Sequence, residues 1–179
     1  EVRSTIGTVL AELDHMRRLT ERLLVLGRSL EPDFLDLGAV EVLDLCDDVF
    51  GAAQVLADRA WSYRAPDPQL LVEADYGKLR GVVLNLVENA VKFTQPGDAI
   101  ELSASATVDG ASVEIAVGDA GPGVPEAERG RLVERFARLG GADTEGSGLG
   151  LAIVTAVATA HGGSLQLGES RLGGLRAVI

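Results

Sequence analysis

The chain has 179 residues, a formal net charge of −11 and 46% hydrophobic residues, enough for one ordinary domain with a real core plus a modest appendage. Such acidity excludes broad electrostatic attraction to nucleic acid or to an anionic membrane, so a polyanionic ligand must be held by local geometry. No apolar run approaches bilayer-spanning length, no signal-peptide pattern opens the sequence, and the single cysteine, Cys46, rules out a disulfide scaffold or a cysteine-rich metal site and reads as an unreactive core thiol.

Residues 2–30 carry apolar side chains at three- and four-residue spacing, among them Ile6, Leu10, Leu13, Met16, Leu23 and Leu30. The spacing predicts one long helix with the stripe of a coiled coil or bundle, which needs a partner helix to cover it. Glu31-Pro32-Asp33 ends that helix, and 31–39 is a linker or first edge segment. A short strand is expected at 39–43, then a helix over about 44–60 with Leu45, Val49, Ala52, Val55 and Leu56 inward. Short strands follow at 61–65 and 70–73, separated by a turn at Pro66 and Pro68.

Asp75 is placed to cap a helix over about 76–93, its carboxylate accepting from the open amides of the first turn. Pro96-Gly97 breaks the chain before two alternating runs, 100–108 and 112–117, joined through Asp109-Gly110, a hairpin signal. Residues 124–146 are rich in Gly, Glu and Arg, hold one short apolar helix around 126–136, and read as a lid. A helix over 149–160 and a closing hairpin, 164–169 with 174–179, complete the chain. This order predicts an α/β sandwich: one mixed, mostly antiparallel sheet covered by helices on one face and preceded by the long N-terminal helix.

At about 100° per residue, setting Asn85 at zero puts Asn89 near 40°, Lys92 near 340° and Glu88 near 300°. Val83, Leu86, Val87, Ala90 and Val91 fall on the opposite side, so the 76–93 helix offers one polar face. Two amides and a carboxylate suit a hydrated magnesium ion, which prefers oxygen ligands and keeps waters while bridging phosphates. Lys92 can neutralise phosphate charge and Phe93 can lie along a base. Taken alone, a solvated helix face would also account for these residues.

Two glycine-rich turns favour the nucleotide reading. Asp119-Ala120-Gly121-Pro122-Gly123 sets a carboxylate at the end of a strand beside glycines that let backbone approach a ligand, suited to hydrogen bonding a base amino group. Gly146-Ser147-Gly148-Leu149-Gly150 opens the 149–160 helix, where unpaired amides and the helix dipole favour a phosphate. No Gly-Lys-Ser/Thr follows, so it is not a P-loop. Within the lid, Phe136 could pin the segment to the body, and Arg135 or Arg138 is either an exposed charge or a phosphate contact. His161 reads as a helix terminator.

Together these segments resemble the ATP-binding domain of bacterial sensor histidine kinases, within the superfamily that includes DNA gyrase, mismatch-repair ATPases and the ninety-kilodalton heat-shock chaperones. Asn85 to Phe93 resembles its asparagine box, Asp119 to Gly123 its first glycine box, Phe136 its phenylalanine box and Gly146 to Gly150 its second glycine box. The resemblance runs from about residue 37 to 179 and implies a Bergerat fold binding ATP and Mg2+, with a lid at about 124–146. By position, Asn89 and Asn85 would hold the metal, and Lys92 would touch phosphate. Asp119 with Gly121 and Gly123 would read adenine beside Phe93, and Gly146, Gly148, Leu149 and Gly150 would close on the phosphates. Asn85, Glu88, Lys92 and Arg138 are the expected catalytic group, Glu88 polarising the incoming imidazole. Gyrase-like and chaperone-like relatives have a water-activating glutamate where this chain has Asn85, which favours phosphoryl transfer over hydrolysis.

Residues 1–31 likewise resemble the second helix of the dimerisation and phosphoacceptor hairpin of these kinases. The resemblance implies a homodimer through the bundle, a phosphoacceptor histidine domain and a response regulator as partners, no nucleic acid, and a cytoplasmic setting with any inner-membrane anchor outside these residues. The acceptor histidine is absent: His15 lies in the wrong context. Two other readings remain open on the residues alone, a protein-serine kinase of the anti-sigma type and a nucleotide-binding dimerisation module without kinase activity.

Overall fold

The structure, a computed structural model, describes residues 2–133 and 148–179. Its elements are α1 (Val2–Arg28), β1 (Gly38–Glu41), α2 (Val42–Leu56), β2 (Ala60–Arg64), β3 (Leu71–Ala74), α3 (Tyr76–Lys92), β4 (Ala99–Ala106), β5 (Val113–Asp119), α4 (Glu126–Leu132), α5 (Gly150–Ala160), β6 (Gln166–Glu169) and β7 (Leu175–Val178).

The main sheet has the order β2-β4-β5-β7-β6. β2 runs parallel to β4 and the other pairings are antiparallel. Strand alternation divides this sheet into two faces. Ile100, Leu102, Ala104, Ile115 and Val117 point into one core with Val42, Leu45 and Val49 of α2, Val82, Val83, Leu86 and Val87 of α3, and Ile153, Val154 and Val157 of α5. Glu101, Ser103 and Ser105 alternate to the other face. The α/β sandwich with a mixed, mostly antiparallel sheet is therefore the observed architecture.

Three expectations need correction. The strands do not form one sheet, because β1 and β3 pair with each other in a separate two-stranded antiparallel ribbon. Both lead directly into helices, α2 and α3, which fix the ribbon independently of the main sheet. In α2, Val55 and Leu56 are exposed, and the buried stripe is Val42, Leu45, Cys46, Val49 and Ala53. The helix begins at Val42, so its last turn runs past the edge of the core. Finally, α4 is no apolar helix, since none of its residues is buried.

Cys46 is fully buried, and burial followed by the nearby Asp47 charge pushes its thiol up to about 11, in keeping with an inert core residue. On α1, Leu10, Leu13, Met16, Leu23 and Leu24 are exposed while Leu26 packs into the core. Among the described residues, the stripe expected to meet a partner helix is thus largely uncovered.

Asp75 caps α3 as expected, accepting from the Lys78 amide at 2.9 Å and Lys78 Nζ at 2.8 Å, and also from the Asp36 amide at 3.1 Å. Burial works against this carboxylate, but those hydrogen bonds outweigh it and hold the group below its usual range. The Asp75 amide donates to His161 Nε2 at 3.0 Å, and His161 Nδ1 lies 2.8 Å from the Val157 carbonyl. His161 therefore closes α5 as its C-cap, as expected, and also ties it to the start of α3.

The other end of α3 is held by Arg59, which the sequence did not single out. Its Nε donates to Thr94 Oγ1 at 2.8 Å, and Nη2 donates to the carbonyls of Val91 at 3.1 Å and Thr94 at 3.0 Å. A cation there satisfies open carbonyls and complements the helix dipole. Arg59→Gln is expected to lower stability by about 1.5–3 kcal/mol in a denaturant titration, the range for hydrogen bonds from a charged donor; a loss within error of zero would remove Arg59 as the clamp.

Candidate nucleotide site

The polar face of α3 lies where the sequence puts it. Leu86, Val87 and Ala90 are buried; Asn85 and Asn89 are half-buried; Glu88, Lys92 and Phe93 are exposed. A Cβ on Gly150 would lie 3.5 Å from Asn89 Nδ2 and 3.8 Å from its Oδ1. The first residue of α5 thus sits against the Asn89 amide. The N-cap residue of α5, Leu149, offers no side-chain cap, and Gly148, at φ 68, brings the backbone into the helix. Open amides of a first turn are suited to an anionic ligand. Leu149 contributes backbone only, its side chain being buried in the core.

The same C-terminal end of the asparagine helix also meets the Asp119 turn. A Cβ on Gly121 would come within 2.6 Å of the Phe93 carbonyl oxygen, so only glycine allows this approach. Asp119 ends β5, buried, with Oδ1 accepting from the Gly121 amide at 2.8 Å and the Leu175 amide at 3.2 Å. Burial pushes its carboxyl above the usual range, while the two amides pull the other way. Both of these hydrogen bonds go to one oxygen, leaving Oδ2 for a further donor.

A third glycine segment joins them. The Gly174 amide donates to the Asp119 carbonyl at 3.0 Å. A Cβ on Gly174 would collide with Asp119 Oδ1 and come within 2.6 Å of the Gly121 nitrogen, and Gly123, at φ 68, packs on Gly173 and Gly174. The sequence marks 173–174 only as a hairpin turn. Two consecutive glycines are the single local signal, and any tight turn gives the same one.

Lys92 Nζ lies 5.1 Å from the centre of the Phe93 ring, and Glu88 pairs with Arg22 of α1 at 3.4 Å. Of the remaining expected site residues, Arg138 and Gly146 lie outside the described residues, as do Arg135, Phe136 and the rest of the lid from 134 to 146. A separate cleft of about 700 Å3, lined by Leu26, Phe34, Leu35, Ala152, Thr155 and Thr159 among others, shares no residue with this site.

A sheet with its helices on one face, an asparagine-bearing helix whose last turns touch two glycine segments, and a buried aspartate at the sheet mouth together define a class. Residues 74–179 match the family of histidine kinase-, DNA gyrase B- and HSP90-like ATPases, and the chain belongs to that family. Among its relatives is the sensor-type histidine kinase PrrB of Mycobacterium tuberculosis, 42% identical over 141 residues, which are 78% of this chain and 31% of PrrB. The crystal structure of the ATP binding domain of PrrB from that organism superposes with a TM-score of 0.64 at 38% identity, covering 80% of this chain and 94% of that one. Full-length ShkA in complex with AMPPNP gives a TM-score of 0.77 at 34% identity, covering 98% of this chain and 37% of ShkA. The chain spans about a third of the length of the curated relatives it matches first. No described helix is long and apolar enough to cross a membrane.

Proposed function

We propose that this chain is the ATP-binding catalytic part of a sensor histidine kinase, with residues 37–179 as the nucleotide domain and 1–31 as one helix of the dimerisation and phosphoacceptor hairpin. The observation that carries the reading is the Asn89 side chain against Gly150 at the glycine-led start of α5, where an amide suited to a metal meets backbone suited to a phosphate. Among the described residues no group of three or more His, Cys, Asp or Glu could hold a metal ion. The amides of Asn85 and Asn89, together with phosphate oxygens and water, make a donor set that suits Mg2+.

Asn89 and Asn85 would hold the magnesium ion, which would supply charge neutralisation at the phosphates. The amides of Gly148 to Gly150 and the Lys92 ammonium bind the phosphate chain, and Phe93 borders the base. Asp119 accepts from the adenine amino group through the oxygen not held by Gly121 and Leu175. The reaction is transfer of the γ-phosphoryl of ATP to an imidazole nitrogen of a phosphoacceptor helix outside these 179 residues, giving ADP and phosphohistidine, with onward transfer to a response regulator. Positioning and charge compensation carry such a transfer. Glu88, close to α1, polarises the incoming imidazole, and the exposed stripe of α1 forms the homodimer bundle in the full protein.

The test supplies the phosphoacceptor hairpin of the same full-length protein in trans with labelled ATP and magnesium. The expected product is a phosphoprotein labile to acid and stable to base; an acid-stable phosphoserine, or no transfer despite nucleotide binding, overturns the reading.

Asp119→Asn tests the base contact. Because the folded pKa of Asp119 lies above its unfolded value, its contribution to stability is full at low pH and is lost as pH rises through the folded pKa. The amide removes that penalty, so Asp119→Asn is expected to melt higher than the unaltered chain at pH 7 while losing ATP affinity. Undiminished ATP binding by the variant would remove Asp119 from the base site.

A further inference from the structure

Glu101 is a buried charge with no part in the proposed transfer. It lies on β4, on the sheet face turned away from the helices, 6% exposed. Arg171 grips its carboxylate with a two-pronged fork, Nε donating to Oε1 at 3.1 Å and Nη2 pairing with Oε2, and Arg64 Nη2 donates to Oε1 at 3.2 Å. Arg171 belongs to the turn between β6 and β7, and β5 lies between that hairpin and β4. The residue of β5 paired with Glu101 is Gly118. A Cβ there would approach Ser170 Oγ to 3.0 Å, so the missing side chain lets the 170–174 turn fold over the sheet and Arg171 reach across.

The same turn grips Asp119 from its other end. The Gly174 amide donates to the Asp119 carbonyl at 3.0 Å, and the Leu175 amide donates to Oδ1 at 3.2 Å. Within the turn, the Ser170 amide donates to the Gly174 carbonyl and the Gly173 amide to the Ser170 carbonyl, both at 2.9 Å, so the segment moves as a unit. An arginine fork on a carboxylate fixes direction as well as distance.

We propose that the Glu101–Arg171 pair is a positioning latch that sets nucleobase selectivity: it fixes the 170–174 turn, which holds one oxygen of Asp119 and aims the other at the amino group of adenine. The proposal rests on the reading of Asp119 as the base contact. Neither latch residue touches the nucleotide; both act through the turn.

The experiment compares magnesium–ATP with magnesium–inosine triphosphate, in which a carbonyl replaces the amino group, by titration of this chain. The unaltered chain is expected to prefer ATP by about tenfold or more, since the analogue turns an acceptor toward a buried acceptor. In Arg171→Gln the preference is expected to shrink to about two- to threefold, the loss falling on ATP. Arg64 still pairs with Glu101 in that variant and the Arg171 side chain is largely exposed, so the fold is retained. A Glu101→Gln, Arg171→Gln double variant gives the same result with no buried charge at stake. Arg64→Gln, which removes a partner of Glu101 without touching the turn, keeps the full preference.

A preference unchanged in Arg171→Gln and in the double variant overturns the latch and leaves the Asp119 reading intact. An equal loss in Arg64→Gln also overturns it, because the buried charge and not the turn would then be responsible. Equal binding of the two nucleotides by the unaltered chain, or binding of neither, refutes the Asp119 reading and the latch with it.

Discussion

Asn89→Ala is expected to weaken magnesium-dependent ATP binding by about 10–100-fold, the usual effect of removing a group that orders a metal site, while leaving the melting transition nearly unchanged. The Asn89 side chain is half-buried against the backbone of Gly150, not in the core formed by Leu86, Val87 and Ala90. Its loss therefore removes a ligand without opening a large cavity. Calorimetric titration with and without magnesium reads the effect directly. Affinity that is unchanged, or that falls equally in the absence of magnesium, would take Asn89 out of the metal site.

Gly174→Ala should do damage of a different kind. The added methyl collides with Asp119 Oδ1 and with backbone atoms of Asp119 and Gly121 that have no freedom to move aside. Overpacking of this sort costs about 1–3 kcal/mol, and it should also abolish measurable ATP binding because the group displaced is the base contact. Gly168→Ala on β6 is the control, since a Cβ there meets nothing within 4 Å; it should be neutral to both unfolding and binding. A Gly174→Ala chain that binds ATP normally would mean that the 173–175 turn does not shape the site.

How much of this was legible beforehand varies with the range of the interaction. The capping of α3 by Asp75, the buried and polar faces of that helix, and the glycine-rich entry to α5 were all readable. Each is fixed by residues within a few positions of one another, through helical period or through the open amides of a first turn. The inward assignment of Val55 and Leu56 failed for the same reason that the others succeeded. Periodicity gives the angle of a side chain around its helix but not where the neighbouring layer ends, and the last turn of α2 overruns it. Pairing of β1 with β3 in a separate ribbon was equally invisible, because a four-residue strand carries no mark of its partner.

The sequence by itself determined the elements, their order, the asparagine-bearing face of α3 and the family to which the motifs point. Only the tertiary structure decided that Gly174 and Leu175 hold Asp119, that Arg59 fastens the end of α3, and that Arg171 reaches Glu101 across Gly118. These contacts join residues between 32 and 70 positions apart. A hydrogen bond or ion pair between distant segments depends on where folding brings two strands or a turn and a helix, and no local spacing encodes that distance. The chemistry-bearing residues were therefore legible, while the residues that hold them in place became visible only once the chain was folded.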